Sequence, residues 1–150
     1  MNIALSSAPL ADVDADLLVV AIGEAVDADL APLASLLGDG LTEWAASRRF
    51  RGTPGTVLPL PGFGRLKARE VLFVGIGDRS PRAVAEAAGR AGREARTLRS
   101  ASVHLHFGDV PADLVAEAFV AGNYRYEAYA KEDERSAPVA ELHVHGSRGA

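Results

Sequence analysis

The chain has 150 residues, 48% of them hydrophobic and 24% charged, with a formal net charge of −4. This is the length of one domain with a sizeable core, and the acidic balance argues against non-specific nucleic-acid binding as its main role. There is no cysteine, which excludes disulfides, thiolate metal sites and a thiol nucleophile. No apolar run is long enough for a membrane span. Met1–Leu5 lacks the basic start and long apolar stretch of a signal peptide. A cytoplasmic setting is expected.

In chain order, Ile3–Leu5 reads as a short first strand. Residues 16–22 form a near-continuous apolar run ending at Gly23, the pattern of a strand buried on both faces. A helix is predicted over 29–37, with Leu30, Leu33 and Leu37 on one face and Gly38 as its stop. Thr42-Glu43-Trp44 is read as the cap of a second short helix reaching about Phe50. Residues 55–60 are strand-like but carry Pro59, which favours a sheet edge, and 61–64 make a turn. Residues 70–74 form another buried strand.

Ser80 as N-cap and Pro81 as first residue open the clearest helix. Its face of Val84, Ala87, Ala88, Ala91, Ala95 and Leu98 is small and flat, suited to lying close on a sheet. Residues 102–107 alternate with period two, as a strand does. Pro111 starts a long helix with a buried stripe of Leu114, Val115, Ala118, Phe119, Gly122 and Tyr126. A polar loop over 131–136 leads to a last alternating strand, 139–144. Strands alternating with helices in the second half predict crossovers. The fold class is therefore a three-layer α/β/α sandwich with a mixed, mainly parallel sheet of about six strands. One domain is expected over 1–145, followed by a flexible tail, 146–150.

Three groups of residues offer chemistry. Gly75-Ile76-Gly77 follows a strand and precedes a capped helix, the setting in which helix N-termini hold anions. Gly75, Gly77 and Ser80 are thus candidate ligand-binding residues. Against this, Ser80 stands where a dinucleotide fingerprint has its third glycine, and Asp109 comes too late to be its acidic partner. Asp78 would repel a phosphate. The competing reading is a tight strand-to-helix corner that needs residues without a Cβ. Arg82, Arg90, Arg93 and Arg96 share one side of the Ser80-capped helix. Glu86 and Glu94 stand at ion-pair spacing, so this side reads as a solvated, salt-laced face.

His104, His106, His143 and His145 make two His-x-His pairs. Each pair shares one face of its strand. If the strands were neighbours, four imidazoles would cluster, and neutral imidazoles suit zinc. The alternative is a sheet face that is only partly apolar. No serine lies in a Gly-x-Ser-x-Gly setting and no His-Glu-x-x-His occurs, so no catalytic residue is assigned. Tyr124, Tyr126 and Tyr129 read as packing with a polar rim.

Residues 116–129, containing Gly122-Asn123-Tyr124-Arg125-Tyr126, resemble a helix in the N-terminal domain of the leucyl (cytosol) aminopeptidase family. Lys131 follows Tyr129 after one extra residue. Val-Gly-Ile-Gly at 74–77 and the Ala-rich helix with Gly89 and Gly92 are similar to that domain as well, and the likeness spans nearly the whole chain. The resemblance implies a macro-domain-like fold in which 102–107 lies beside 139–144. It also implies a non-catalytic domain serving assembly or regulation of a metalloaminopeptidase, with protein partners: self-association or a catalytic domain. The family's zinc or manganese belongs to a separate catalytic domain marked by Asn-Thr-Asp-Ala-Glu-Gly-Arg. No part of that motif occurs here, so no metal or cofactor is expected in this chain. The alternative is a free-standing macro-like module binding ADP-ribose or a related nucleotide.

Overall fold

The computed structural model describes residues 1–7, 9–38, 40–62, 64–129 and 139–145; for residue 11 and residues 125–129 it describes the backbone alone. The expected loop 131–136 and tail 146–150 therefore lie outside the described residues, as do Lys131 and the side chains of Tyr126 and Tyr129. The elements in order are β1 (Asn2–Ser6), β2 (Leu17–Gly23), α1 (Val26–Leu37), α2 (Gly40–Ser47), β3 (Val57–Pro61), β4 (Glu70–Gly77), α3 (Pro81–Thr97), β5 (Ser102–His106), α4 (Ala112–Tyr129) and β6 (Glu141–His145).

The six strands form one sheet in the order β1-β6-β5-β2-β4-β3. All neighbours run parallel except β3, which pairs antiparallel with β4 at one edge. The expected mixed, mainly parallel α/β sheet is what forms. Pro59 lies on the β3 edge, where its missing N–H costs the ladder nothing. β2 and β4 are central, and their apolar runs follow from burial on both faces. Leu17, Val19, Leu72 and Val74 pack toward α3 and α4. Leu18, Val20, Val71 and Phe73 pack toward α1 and α2. Each fully buried side chain such as Phe73 contributes about 1.5–3 kcal/mol.

The first two helices depart from expectation. α1 begins at Val26, ahead of the predicted Asp29. Asp27 and Asp29 then occupy its first turn, where the helix dipole favours carboxylates. α2 begins at Gly40, so Thr42 lies inside the helix instead of capping it. The helix stops at Ser47, ahead of Phe50, where Arg49 turns into the left-handed region at φ 58°.

α3 starts as predicted. The Ser80 hydroxyl accepts from the Ala83 N–H at 3.2 Å, and Pro81 is the first helical residue. Ala87, Ala88, Ala91 and Ala95 are fully buried. The arginine side is not uniformly solvated. Arg90 pairs with Glu94 at 2.9 Å, but Arg96 is only 2% exposed and donates from Nε to the Asn123 carbonyl at 3.2 Å. It lies on the flank of α3 that meets α4, and burial there outweighs the solvated pattern of its neighbours.

α3 and α4 touch backbone to backbone. A Cβ on Gly122 would run into the Gly89 carbonyl, and one on Gly92 into the Phe119 carbonyl and the Asn123 amide. Asn123 is fully buried at this crossing. Its Nδ2 donates to the Gly92 carbonyl at 2.9 Å, and its Oδ1 accepts from the Val139 N–H at 3.4 Å. One side chain thus ties α3, α4 and the approach to β6 together.

Gly122→Ala should destabilise the fold by about 1–3 kcal/mol through forced separation of the helices. Gly40→Ala, with nothing within 4 Å of its new methyl, should be neutral or stabilising by up to about 1 kcal/mol. Urea unfolding of the two variants measures both. Equal midpoints would contradict the close crossing.

Candidate functional site at the carboxyl ends of the parallel strands

The carboxyl ends of parallel strands are where α/β sheets hold ligands, and Gly75, Gly77 and Ser80 all lie there. The chain's own loop also lies there. Residues 51–56 run across the ends of β2 and β4. The Gly77 N–H donates to the Gly52 carbonyl at 2.8 Å, the Gly75 N–H to the Thr56 carbonyl at 2.9 Å, and the Gly55 N–H to the Gly75 carbonyl at 3.3 Å. The glycines make this seat possible. A Cβ on Gly75 would meet the Thr53 carbonyl, and one on Gly77 would meet the Pro54 ring at 2.8 Å.

The donors beyond Gly77 are engaged as well. The Ser80 N–H donates to Asp78 Oδ1 at 3.0 Å, and the Arg79 N–H to the Ile76 carbonyl at 2.9 Å. The Ser80 hydroxyl caps α3. The backbone hydrogen bond from Ser80, together with that from its side chain, holds the Asp78 carboxyl below its ordinary pKa and keeps it ionised. A depression of ≈ 350 Å³ beside Gly77 and Ser80 is lined by Glu24, Asp78 and Glu86 against Arg82. Its charge disfavours a phosphate.

Arg79, with φ 63°, reaches from the β4–α3 turn to Asp29 Oδ2 at 3.0 Å. The same oxygen accepts the Gly23 N–H at 2.7 Å. This bridge joins the end of β2, the first turn of α1 and the start of α3. The Arg79 charge at the strand ends is thus matched by a carboxylate. Local spacing carries no signal for the pair, because 50 residues separate its members.

The four histidines do come together. β5 and β6 are parallel neighbours, with His104 opposite His143 and His106 opposite His145. The ring centroids of His104 and His143 are 4.3 Å apart with planes 15° from parallel, and those of His106 and His145 are 4.2 Å apart. His104 Nδ1 lies 2.8 Å from His145 Nε2. One ring donates and the other accepts, so the contact suits two neutral imidazoles.

Leu18 and Val20 flank the cluster on the β2 side, Ala4 and Ser6 on the β1 side. Lone pairs of imidazole nitrogens lie in the ring planes, so stacked rings do not aim them at a common point. Among the described residues, no group of three or more His, Cys, Asp or Glu is arranged to hold a metal ion. The cluster in this form is a stack of imidazole rings. Burial, and then the neighbouring His143 and His106, lower the His104 pKa from 6.5 to about 4.

Residues 17–133, well over half the chain, match the family model described as the cytosol aminopeptidase family, N-terminal domain. The chain belongs to this family. No curated protein matches the sequence. Among solved structures, a mutant leucine aminopeptidase from tomato is similar over 100% of this chain, with TM-score 0.79 and 17% identity. The chain spans 33% of that protein. A Trypanosoma brucei macrodomain in complex with ADP-ribose is similar over 97% of this chain and 63% of its own, with TM-score 0.64 and 19% identity. The macro domain of ganglioside induced differentiation associated protein 2 covers 97% of this chain and 77% of its own, with TM-score 0.65 and 14% identity. These likenesses establish a macro-domain-like fold. Within it, Asn123 of the family-like Asn-Tyr-Arg-Tyr segment serves as a packing tie.

The lowered His104 pKa gives a pH dependence. The unfolded chain binds a proton near pH 6.5 and the folded chain only near 4. Between these values the unfolded state holds more protons, so stability falls as pH falls through this window and levels off below it. Urea midpoints from pH 7.5 to 4 should show that decline, and His104→Gln should make it shallower. An unchanged slope in the variant would contradict the assignment.

Proposed function

We propose that this chain is a non-catalytic N-terminal domain of a leucyl aminopeptidase-like protein, acting through protein contacts in the assembly or regulation of a metalloaminopeptidase in the cytoplasm. Family membership supports the class. The observation that sets this reading above a nucleotide-binding one is the filled strand-end corner: the amides of Gly75 and Gly77 are spent on the carbonyls of Thr56 and Gly52. The partner is a second copy or a catalytic aminopeptidase domain. Zinc or manganese belongs with that catalytic domain, and nucleic acid is not the partner.

A second reading has its own support. Macro domains share the fold, and one of them was solved with ADP-ribose. In that reading Gly75, Gly77 and Ser80 contact the nucleotide after the loop 51–56 withdraws.

Purified chain with added manganese should not hydrolyse leucine anilides, and titration with ADP-ribose should give no heat of binding. Hydrolysis would overturn the non-catalytic reading. Micromolar ADP-ribose binding would favour the macro-like module.

A further inference from the structure

The two edges of the sheet are built differently. β3 carries Pro59 and Pro61, residues that blunt an edge against further pairing. β1, at the other edge, reads Asn-Ile-Ala-Leu-Ser and has neither proline nor charge. Among the described residues it has no neighbouring strand on its outer side. Ile3 and Leu5 are each 53% exposed.

The hydrogen-bonding parity of β1 is fixed by its pairing with β6. The Asn2 N–H donates to the Ala140 carbonyl at 2.8 Å. Peptide groups alternate along a strand, so those of residues 2, 4 and 6 face β6. The N–H and C=O of Ile3 and Leu5 therefore point outward. The side chains of Ile3 and Leu5 lie on the α4 side, in register with Leu142 and Val144. There they border a groove of ≈ 350 Å³ shared with Ala112, Asp113 and Ala116.

The sequence of β1 is a palindrome in character around Ala4: polar, apolar, small, apolar, polar. We propose that β1 pairs antiparallel with β1 of a second copy, about a two-fold axis at Ala4. Ile3 then opposes Leu5 of the second copy and exchanges both backbone bonds with it, as hydrogen-bonded antiparallel pairs do. The mirrored pair does the same. Ala4 opposes its own counterpart as a non-hydrogen-bonded pair, as the parity requires. Each leucine and isoleucine fills space beside the other copy's groove. Two six-stranded sheets become one continuous sheet, and the isologous contact closes, leaving the proline-guarded edges outermost.

A five-residue strand buries less than the roughly 800 Å² per partner of a standard interface. The dimer is therefore weak and concentration-dependent. This interface rests on, and gives a surface to, the assembly reading above.

Sedimentation velocity across a concentration series should show monomer converting to dimer. Ile3→Pro removes an outward N–H that the fold does not use, and should abolish the dimer while keeping the wild-type circular dichroism and melting temperature. Ala4→Cys, in a chain without cysteine, brings the two thiols to a Cα separation of about 4.5 Å, within disulfide range. It should crosslink at least tenfold faster than Glu117→Cys, an exposed position on α4. A wild-type chain that stays monomeric to millimolar concentration would overturn the interface, as would a dimer that survives Ile3→Pro or equal crosslinking of the two cysteine variants. None of these results bears on anilide hydrolysis or ADP-ribose binding, so a failed interface and a failed assembly reading are told apart.

Discussion

The hydrogen bond from the Gly77 N–H to the Gly52 carbonyl is the contact around which the functional end of this fold is organised. It seats the loop 51–56 on the ends of β2 and β4. Backbone lies against backbone there: a Cβ on Gly52 would run into the Gly23 carbonyl, and one on Gly75 into that of Thr53. Three segments distant in sequence approach so closely only because each contributes a glycine. A Gly-x-Gly between strand and helix can therefore serve packing, with its amides bonded to protein carbonyls instead of phosphate oxygens. The Arg79–Asp29 bridge reinforces the arrangement by matching the nearby cation.

The same economy of side-chain volume governs the opposite layer. α3 presents alanines to the sheet and glycines to α4, so the two helices meet through their backbones. Close crossings leave polar groups that must be satisfied, and Asn123 satisfies two of them at once. Arg96 enters the same crossing and bonds the Asn123 carbonyl. On the other face of the sheet the histidine stack joins β5 to β6. Its rings are mutually compatible while neutral and mutually repulsive once several are charged.

Much of the fold was legible because burial leaves a plain mark on sequence. The runs of β2 and β4 are apolar throughout because both faces are covered. The alternation of β5 and β6 put the histidines on one face of each strand, and the family-like order of strands set those faces side by side. The Ser80-Pro81 start of α3 was readable from local chemistry alone. The start of α1 was not, because Val26 and Asp27 lie before the first clear apolar repeat, and the interaction that organises the turn runs back from Asp29 to Gly23. Arg96 was misread because helical spacing shows which residues share a face, while the second helix that covers the flank of that face comes from elsewhere in the chain. The candidate residues Gly75, Gly77 and Ser80 were found together at the strand ends. The loop lying on two of them carries no signal beyond two glycines and a proline, since its role is to supply backbone carbonyls.

The amides of this corner are committed to the chain itself. Amide hydrogen exchange at Gly75 and Gly77, followed by NMR with and without ADP-ribose, tests this most directly. Both amides should exchange as slowly as those of the β4 interior, with resonances unmoved by the nucleotide. Rapid exchange at both, with shifts that saturate on adding ADP-ribose, would show instead that the corner opens to hold a ligand.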